Sequence, residues 1–196
     1  MKKKVSMILF LLISSAMKAQ QNRIKLGFIG VPARGESGFG IGNIGYERLD
    51  KSQKRSWQIL YSVSGGSAAV DVETYNREWV TVERIFYFPT ISKKLTYYYS
   101  LFLETGERTS EPGHIPIYDT SRYEGFRAFE LSPGTALGIK FNFSKRLALE
   151  TGAGPKLVWL NGKKEYYNRR DNIHFDTPYQ ETRLGFRFLF SFSWQF

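Results

Sequence analysis

Few side chains in this sequence are suited to catalysis. Among its 196 residues there are two histidines, His114 and His174, and no cysteine. The lack of cysteine excludes a thiol nucleophile, a cysteine metal site and a disulfide scaffold. A serine nucleophile needs a base within hydrogen-bond reach and a third group to orient that base. Ser110 precedes His114, and Asp171 and Asp176 flank His174, but closeness in sequence does not establish that geometry. We therefore predict no catalytic residue.

Cofactor and metal sites are not predicted either. Residues 27–30 (GFIG) and 38–42 (GFGIG) are rich in glycine, yet neither segment opens a helix. A dinucleotide-binding motif or a phosphate-binding loop must lead directly into a helix, so neither interpretation applies to these segments. Neither histidine has the spacing of a zinc site. The glycines are better explained by positions where neighbouring groups leave no room for a side chain.

A basic and aromatic segment lies between residues 161 and 178, where Lys163 and Lys164 are followed by Tyr166, Tyr167 and two arginines. Such a loop can contact phosphate groups or an acidic partner. An ordinary solvated loop is the preferred explanation, because loops are generally polar and exposed.

The first twenty residues have the layout of a secretory signal peptide. Three lysines at positions 2–4 precede a short apolar stretch at 5–13, and small residues follow. We predict a signal peptide over 1–20 and one domain over 21–196. Four of the 28 basic residues lie in this segment, so the net charge falls from +10 to +6 after cleavage. A nucleic-acid partner is not expected for an exported chain.

The rest of the chain alternates between apolar and polar residues with a period of two, which indicates β-strands. The clearest example is the C-terminus, where one face carries large apolar side chains: Leu184, Phe186, Phe188, Phe190, Phe192, Trp194 and Phe196. The same alternation predicts eight strands, at 23–31, 39–49, 56–65, 77–89, 95–105, 125–143, 146–160 and 179–196. The connections alternate between short polar turns and longer loops, of which 106–124 and 161–178 are the longest.

An even number of strands, with short turns at one end and long loops at the other, is typical of an outer-membrane barrel. The fold class predicted is therefore all-β, an eight-stranded antiparallel up-and-down transmembrane β-barrel. Eight strands leave little interior room. The bulky face must then look outward into lipid, where only a closed barrel satisfies every backbone group.

This orientation predicts which side chains line the interior and which meet the membrane surface. Ten charged residues are expected to form an ion network in the lumen: Lys25, Glu47, Arg84, Glu104, Glu130, Lys140, Glu150, Lys156, Arg183 and Arg187. Buried charges must be paired or hydrated, so the network either plugs the barrel or lines a narrow ion path. Five residues are expected in the aromatic belts at the membrane interfaces: Trp57, Trp79, Trp159, Trp194 and Phe196.

These features resemble the small eight-stranded outer-membrane barrels of Gram-negative bacteria, the OmpA/OmpX type. More narrowly, the chain resembles an uncharacterised outer-membrane barrel family through residues 43–48 (NIGYER), 57–59 (WQI) and 83–88 (ERIFYF). The terminal Phe196, with apolar residues at alternate positions before it, is similar to the signal read by the barrel-assembly machinery. The resemblance covers essentially all of 21–196.

The resemblance implies an integral outer-membrane protein whose partners are outer-membrane lipid, lipopolysaccharide and the assembly machinery. The function expected is non-enzymatic, with a structural or loop-mediated binding role and a charge-plugged lumen. One alternative is a porin-like narrow channel or transporter for small solutes or ions. Another is a lipid-A-modifying enzyme that uses His174 or His114, since some barrels of this size are such enzymes. The oligomeric state is left open.

Overall fold

Eight antiparallel strands follow one another in the computed structural model of the chain, which describes residues 22–30, 42–52, 54–67, 74–89, 92, 94–111, 122–168 and 173–196. The strands are β1 (Asn22–Gly30), β2 (Asn43–Leu49), β3 (Arg55–Ser67), β4 (Thr74–Tyr87), β5 (Leu95–Glu111), β6 (Arg122–Asn142), β7 (Leu147–Asn168) and β8 (Ile173–Gln195). Each strand pairs with the next, and β8 pairs with β1, which closes the sheet into a barrel. The predicted fold class is confirmed.

Burial alternates along the strands as the period-two pattern requires. In β8, Phe186, Phe188 and Phe190 are exposed on the outer surface, whereas Arg187 and Leu189 are buried inside. The barrel therefore shows large apolar side chains to its surroundings and encloses polar ones. A soluble barrel has the reverse arrangement, with its apolar side chains inside.

Much of what we predicted as long loops is strand. Three segments, Arg122–Ala128, Gly162–Asn168 and Ile173–Tyr179, continue the pairing of β6, β7 and β8; we call them the β6–β8 extension. Cross-strand ring contacts support the extension, since Tyr166 stacks on Phe175 with ring centroids 5.0 Å apart. The prediction of loops was therefore wrong for 106–111, 122–124, 161–168 and 173–178, and the rest of both segments lies outside the described residues. Closely spaced charged residues interrupt the alternation of apolar and polar residues there, so the sequence pattern did not indicate strands.

Three predictions concern residues outside the described ranges. These are the signal peptide over 1–20, the catalytic alternative at His114, and most of the glycine-rich segment 38–42. Within the described ranges, no helix is both long enough and apolar enough to cross a bilayer.

Two aromatic rings of β5 fill the interior beside glycines of the neighbouring strand β6. A Cβ atom on Gly138 would lie 2.2 Å from Cζ of Tyr98, and one on Gly134 would lie 2.4 Å from Cζ of Phe102. Both distances are far below van der Waals contact. Glycine at these two positions is therefore required by the close approach of the rings.

We expect Gly138→Val to lower the free energy of unfolding by about 1–3 kcal/mol, because the added methyl groups must displace the Tyr98 ring. Urea denaturation of the refolded barrel measures this change. In the Tyr98→Ala background the clash with the ring is gone and the close contact with the backbone oxygen of Thr151, 2.6 Å from that Cβ atom, remains, so the cost there is smaller. An equal cost in both backgrounds would show that the ring does not impose the glycine.

Candidate functional site

The first polar cluster of the interior lies at the end of the barrel that holds the short turns. We call it the turn-end ion network; it consists of Arg23, Lys25, Glu47, Lys140 and Glu150. Lys25 Nζ lies 2.5 Å from Glu150 Oε2 and 3.2 Å from Glu47 Oε2. Lys140 Nζ lies 2.9 Å from Glu150 Oε1, and Arg23 Nη1 lies 3.3 Å from Glu47 Oε2. Three cations thus share two carboxylates.

The second cluster lies further along the barrel axis. We call it the central ion network; it consists of Arg77, Glu83, Glu104, Glu130, Lys156 and Arg187. Glu104 is its hub, because Oε2 accepts hydrogen bonds from Arg77 Nη2 at 3.0 Å and from Lys156 Nζ at 2.7 Å. Arg187 joins the hub to Glu83, since its Nη2 lies 2.6 Å from Glu83 Oε2 and its Nε lies 3.8 Å from Glu104 Oε1.

Neighbouring polar and aromatic groups hold the central ion network in place. Gln58 donates a hydrogen bond to Glu83, and Ser132 Oγ donates one of 2.7 Å to Glu130 Oε1. The Arg187 guanidinium lies 4.1 Å from the centroid of the Phe102 ring, which adds a cation–π contact. Three cations and three carboxylates balance, as burial of charge requires.

The structure places eight of the ten predicted lumen residues inside the barrel, each nearly or fully buried: Lys25, Glu47, Glu104, Glu130, Lys140, Glu150, Lys156 and Arg187. Arg183 has the inward orientation of its strand, but its side chain is 37% exposed and pairs with Glu181 at 3.5 Å. It therefore lies near the mouth of the barrel opposite the short turns.

The predictions for Arg84 and Trp79 were wrong, and for the same reason. Adjacent charges at Glu83 and Arg84 left the facing of β4 ambiguous, and Arg84 was assigned to the lumen. The structure has the opposite facing: Glu83 is buried, whereas the Arg84 guanidinium lies 4.9 Å from the ring centroid of the exposed Trp57. Trp79 is consequently inside, 2% exposed, with the Arg77 guanidinium 4.0 Å from its ring centroid.

The other four residues predicted for the aromatic belts lie on the outer surface. Their exposed fractions run from 37% for Trp159 to 62% for Trp194, with Trp57 and Phe196 between these values. Trp57 and Trp194 lie near the short turns, and Trp159 lies towards the opposite end of the barrel.

Several interior residues were not predicted: Arg23, Arg77, Glu83 and Tyr87. Arg23 has the same strand facing as Lys25, so the alternation of β1 contained the signal for it. Arg77 and Glu83 required the correct facing of β4, which the apolar Val80 and Val82 on its outer surface would have given. Tyr87 donates a 2.5 Å hydrogen bond to Glu47 Oε1, a contact with no counterpart in the sequence pattern.

The β6–β8 extension carries the remaining candidate chemistry. His174 Nε2 lies 3.8 Å from Asp176 Oδ1, and both side chains are well exposed. Nearby, the hydrogen bond from Arg127 lowers the pKa of Glu107 below its ordinary value. Burial and the hydrogen bond to Glu181 raise the pKa of Tyr179 to about 12. The described residues contain no group of three or more acidic or histidine side chains placed to hold a metal ion.

Comparison with known proteins supports the architecture. No protein-family model matches the chain, and no curated protein matches it. Among solved structures it is similar to a major outer membrane protein from Thermus thermophilus, with a TM-score of 0.64 and 7% sequence identity. The match covers 90% of this chain and 98% of that one. At this identity the likeness establishes a shared fold, a closed antiparallel β-barrel.

Proposed function

We propose that this protein is an integral barrel of the bacterial outer membrane, non-enzymatic, with an interior closed by its two ion networks. The proposal rests on the distribution of side chains, since apolar ones lie outside and charged ones inside, the reverse of a soluble barrel. Leu184, Leu137 and Trp194 are 82%, 69% and 62% exposed, while Glu104 and Glu150 are completely buried. A surface of this kind is stable only in contact with lipid, and in lipid a closed barrel satisfies its backbone groups. The likeness to an outer membrane protein supports the same location.

The proposal also assigns the two ends of the barrel. Outer-membrane barrels have short turns on the periplasmic side and longer segments outside. The turns at Asp50–Arg55 and Ser144–Leu147 are short, and they lie at the same end as Asn22 and Phe196. We therefore assign this end to the periplasm and the β6–β8 extension to the cell exterior, where it is placed to contact lipopolysaccharide or a partner.

The interior supports a structural or binding role rather than transport. Lys25 of β1 meets carboxylates carried by β2 and β7. Arg187 of β8 reaches carboxylates carried by β4 and β5 on the other side of the lumen. Phe102 and Tyr98 are also buried inside the barrel, and the Phe102 ring contacts Arg187 of the central ion network. An eight-stranded barrel has an interior just wide enough for side chains to fill. We infer that no continuous water-filled path crosses the barrel.

Single-channel recording tests this inference. We expect the refolded barrel to give no steady conductance steps in a planar lipid bilayer, because the ion networks fill the lumen. A heat-shift gel on the same preparation establishes that the barrel is folded. Steady, salt-dependent steps from folded protein would contradict a closed lumen and establish a narrow channel instead.

The enzymatic alternative has its own test. His174 is exposed and pairs with Asp176 beyond hydrogen-bond distance, so it lacks the arrangement of an activated base. We expect the lipid A profile of cells that express His174→Ala to equal that of cells with the unaltered protein. Loss of a lipid A modification in the variant would replace the proposal by an enzymatic one.

A further inference from the structure

A cavity of about 800 Å³ opens at the turn end of the barrel. Five of its lining residues are cations, Arg23, Lys54, Lys94, Lys140 and Lys145, and none of the described lining residues is acidic. The volume lies within the range of about 300–1,000 Å³ that is typical of small-molecule sites. A concave surface with charges of one sign focuses the electric field and concentrates ions of the opposite sign.

The floor of the cavity has a charge that the barrel does not balance. Arg23 and Lys140 belong to the turn-end ion network, where three cations share two carboxylates. Both oxygens of Glu150 are engaged, one by Lys25 and the other by Lys140. The Lys140 side chain is nearly buried, and apart from its ion pair with Glu150 its Nζ has no hydrogen-bond acceptor among the described residues.

The excess positive charge faces the opening rather than the membrane. Lys54, Lys94 and Lys145 lie around the rim, are all exposed, and have side chains long enough to converge on a ligand in the cavity. Asn142 and Ser144 add neutral hydrogen-bonding groups to the lining. By contrast, the central ion network, whose members are all buried, carries as many carboxylates as cations.

We propose that this cavity is a binding site for a small multivalent oxyanion, one that presents several carboxylate or phosphate groups. The negative charge of such a ligand balances the third cation of the turn-end ion network. Its oxygen atoms accept hydrogen bonds from the rim lysines, and these bonds are strengthened because both partners are charged. The site needs only the folded barrel and does not depend on the assignment of this end to the periplasm.

Titration of the isotope-labelled barrel, refolded in zwitterionic micelles, tests the proposal by NMR. Citrate and inorganic pyrophosphate are added separately, at an ionic strength held constant with sodium chloride. We expect at least one of them to give saturable shifts of amide signals in the lining, at Thr96, Asn142 and Ser144. A response to citrate alone identifies a carboxylate ligand, and a response to pyrophosphate alone identifies a phosphate ligand. No saturable shift with either probe overturns the proposal.

Matched pairs of variants distinguish binding at a defined site from general electrostatic attraction of anions to the barrel. Lys54→Gln/Lys145→Gln removes two lining cations, whereas Lys51→Gln/Arg146→Gln removes two exposed cations of the same two turns that do not line the cavity. We expect the first pair to weaken binding by about tenfold and the second by less than about twofold. If both pairs of substitutions weaken binding equally, binding depends only on the net charge of the protein. That result would contradict a defined site. All four positions are exposed, so folding is preserved.

Discussion

Glu104→Gln is expected to destabilise the barrel by about 3 kcal/mol, because it removes one partner from an enclosed group of charges. Glu104 is completely buried and accepts hydrogen bonds from Arg77 and Lys156. Glutamine has nearly the same volume, so packing is preserved while the negative charge is lost. Three buried cations then share Glu83 and Glu130. Denaturation followed by tryptophan fluorescence in micelles gives the free energy of unfolding.

Glu107→Gln is the matched control for this substitution, three residues further along β5. Glu107 pairs with Arg127 on the outside of the barrel, where both side chains are well exposed. Exposed pairs contribute at most about 1 kcal/mol, so a much smaller effect is expected. Removing one cation as well, in Glu104→Gln/Lys156→Gln, should restore part of the lost stability. If the two single variants lose equal stability, the central ion network is not an essential support of the fold.

Phe190→Arg is expected to block or strongly reduce assembly of the barrel into bilayers. Phe190 lies on the outer surface near the middle of the apolar stretch of β8, between Leu184 and Phe196. An arginine facing lipid at mid-depth costs about 2–4 kcal/mol in a transmembrane barrel. The folded fraction after refolding into lipid vesicles, read from a heat-shift gel, measures the effect.

Two further variants distinguish the cost of a charge facing lipid from crowding inside the barrel. Phe190→Leu keeps an apolar side chain towards lipid and should assemble normally. Ser191→Arg introduces the same arginine one residue away, where Ser191 is completely buried inside, and should fail through crowding of the lumen. Normal assembly of Phe190→Arg would mean that this face of β8 does not meet lipid.

The fold was predictable because most strands have one face that is clearly more apolar than the other. From Leu184 to Phe196 every second residue is large and apolar, and β6 and β7 are nearly as regular. The side of each of these strands that faces outward could therefore be predicted directly. β4 was ambiguous because Glu83 and Arg84 are adjacent, and the wrong choice reversed Trp79 as well. The extension was missed because closely spaced charges break the apolar alternation in its β6 and β7 segments.

The sequence was sufficient to predict most of the charged residues that line the lumen, but not which of them form ion pairs with each other. Strand facing depends on neighbours in the sequence, whereas an ion pair depends on which strands lie opposite each other and at what height. Lys25 and Glu150 are 125 positions apart, and they meet because the barrel closes between β8 and β1. The cavity at the turn end has the same origin, since its cations come from separate turns and strands.

The closure between β1 and β8 also bears on the order of folding. β7 and β8 pair along Leu147–Asn168 and Ile173–Trp194, and they are close in the chain, so this hairpin forms at a low entropic cost. Among the described residues β8 meets β1 over Arg23–Gly30, and this contact joins strands from opposite ends of the chain, so its entropic cost is high. Until that last step, both edge strands expose unpaired backbone donors and acceptors. Because the two strands of this seam come from opposite ends of the chain, closure is the stage at which aggregation competes most directly with assembly.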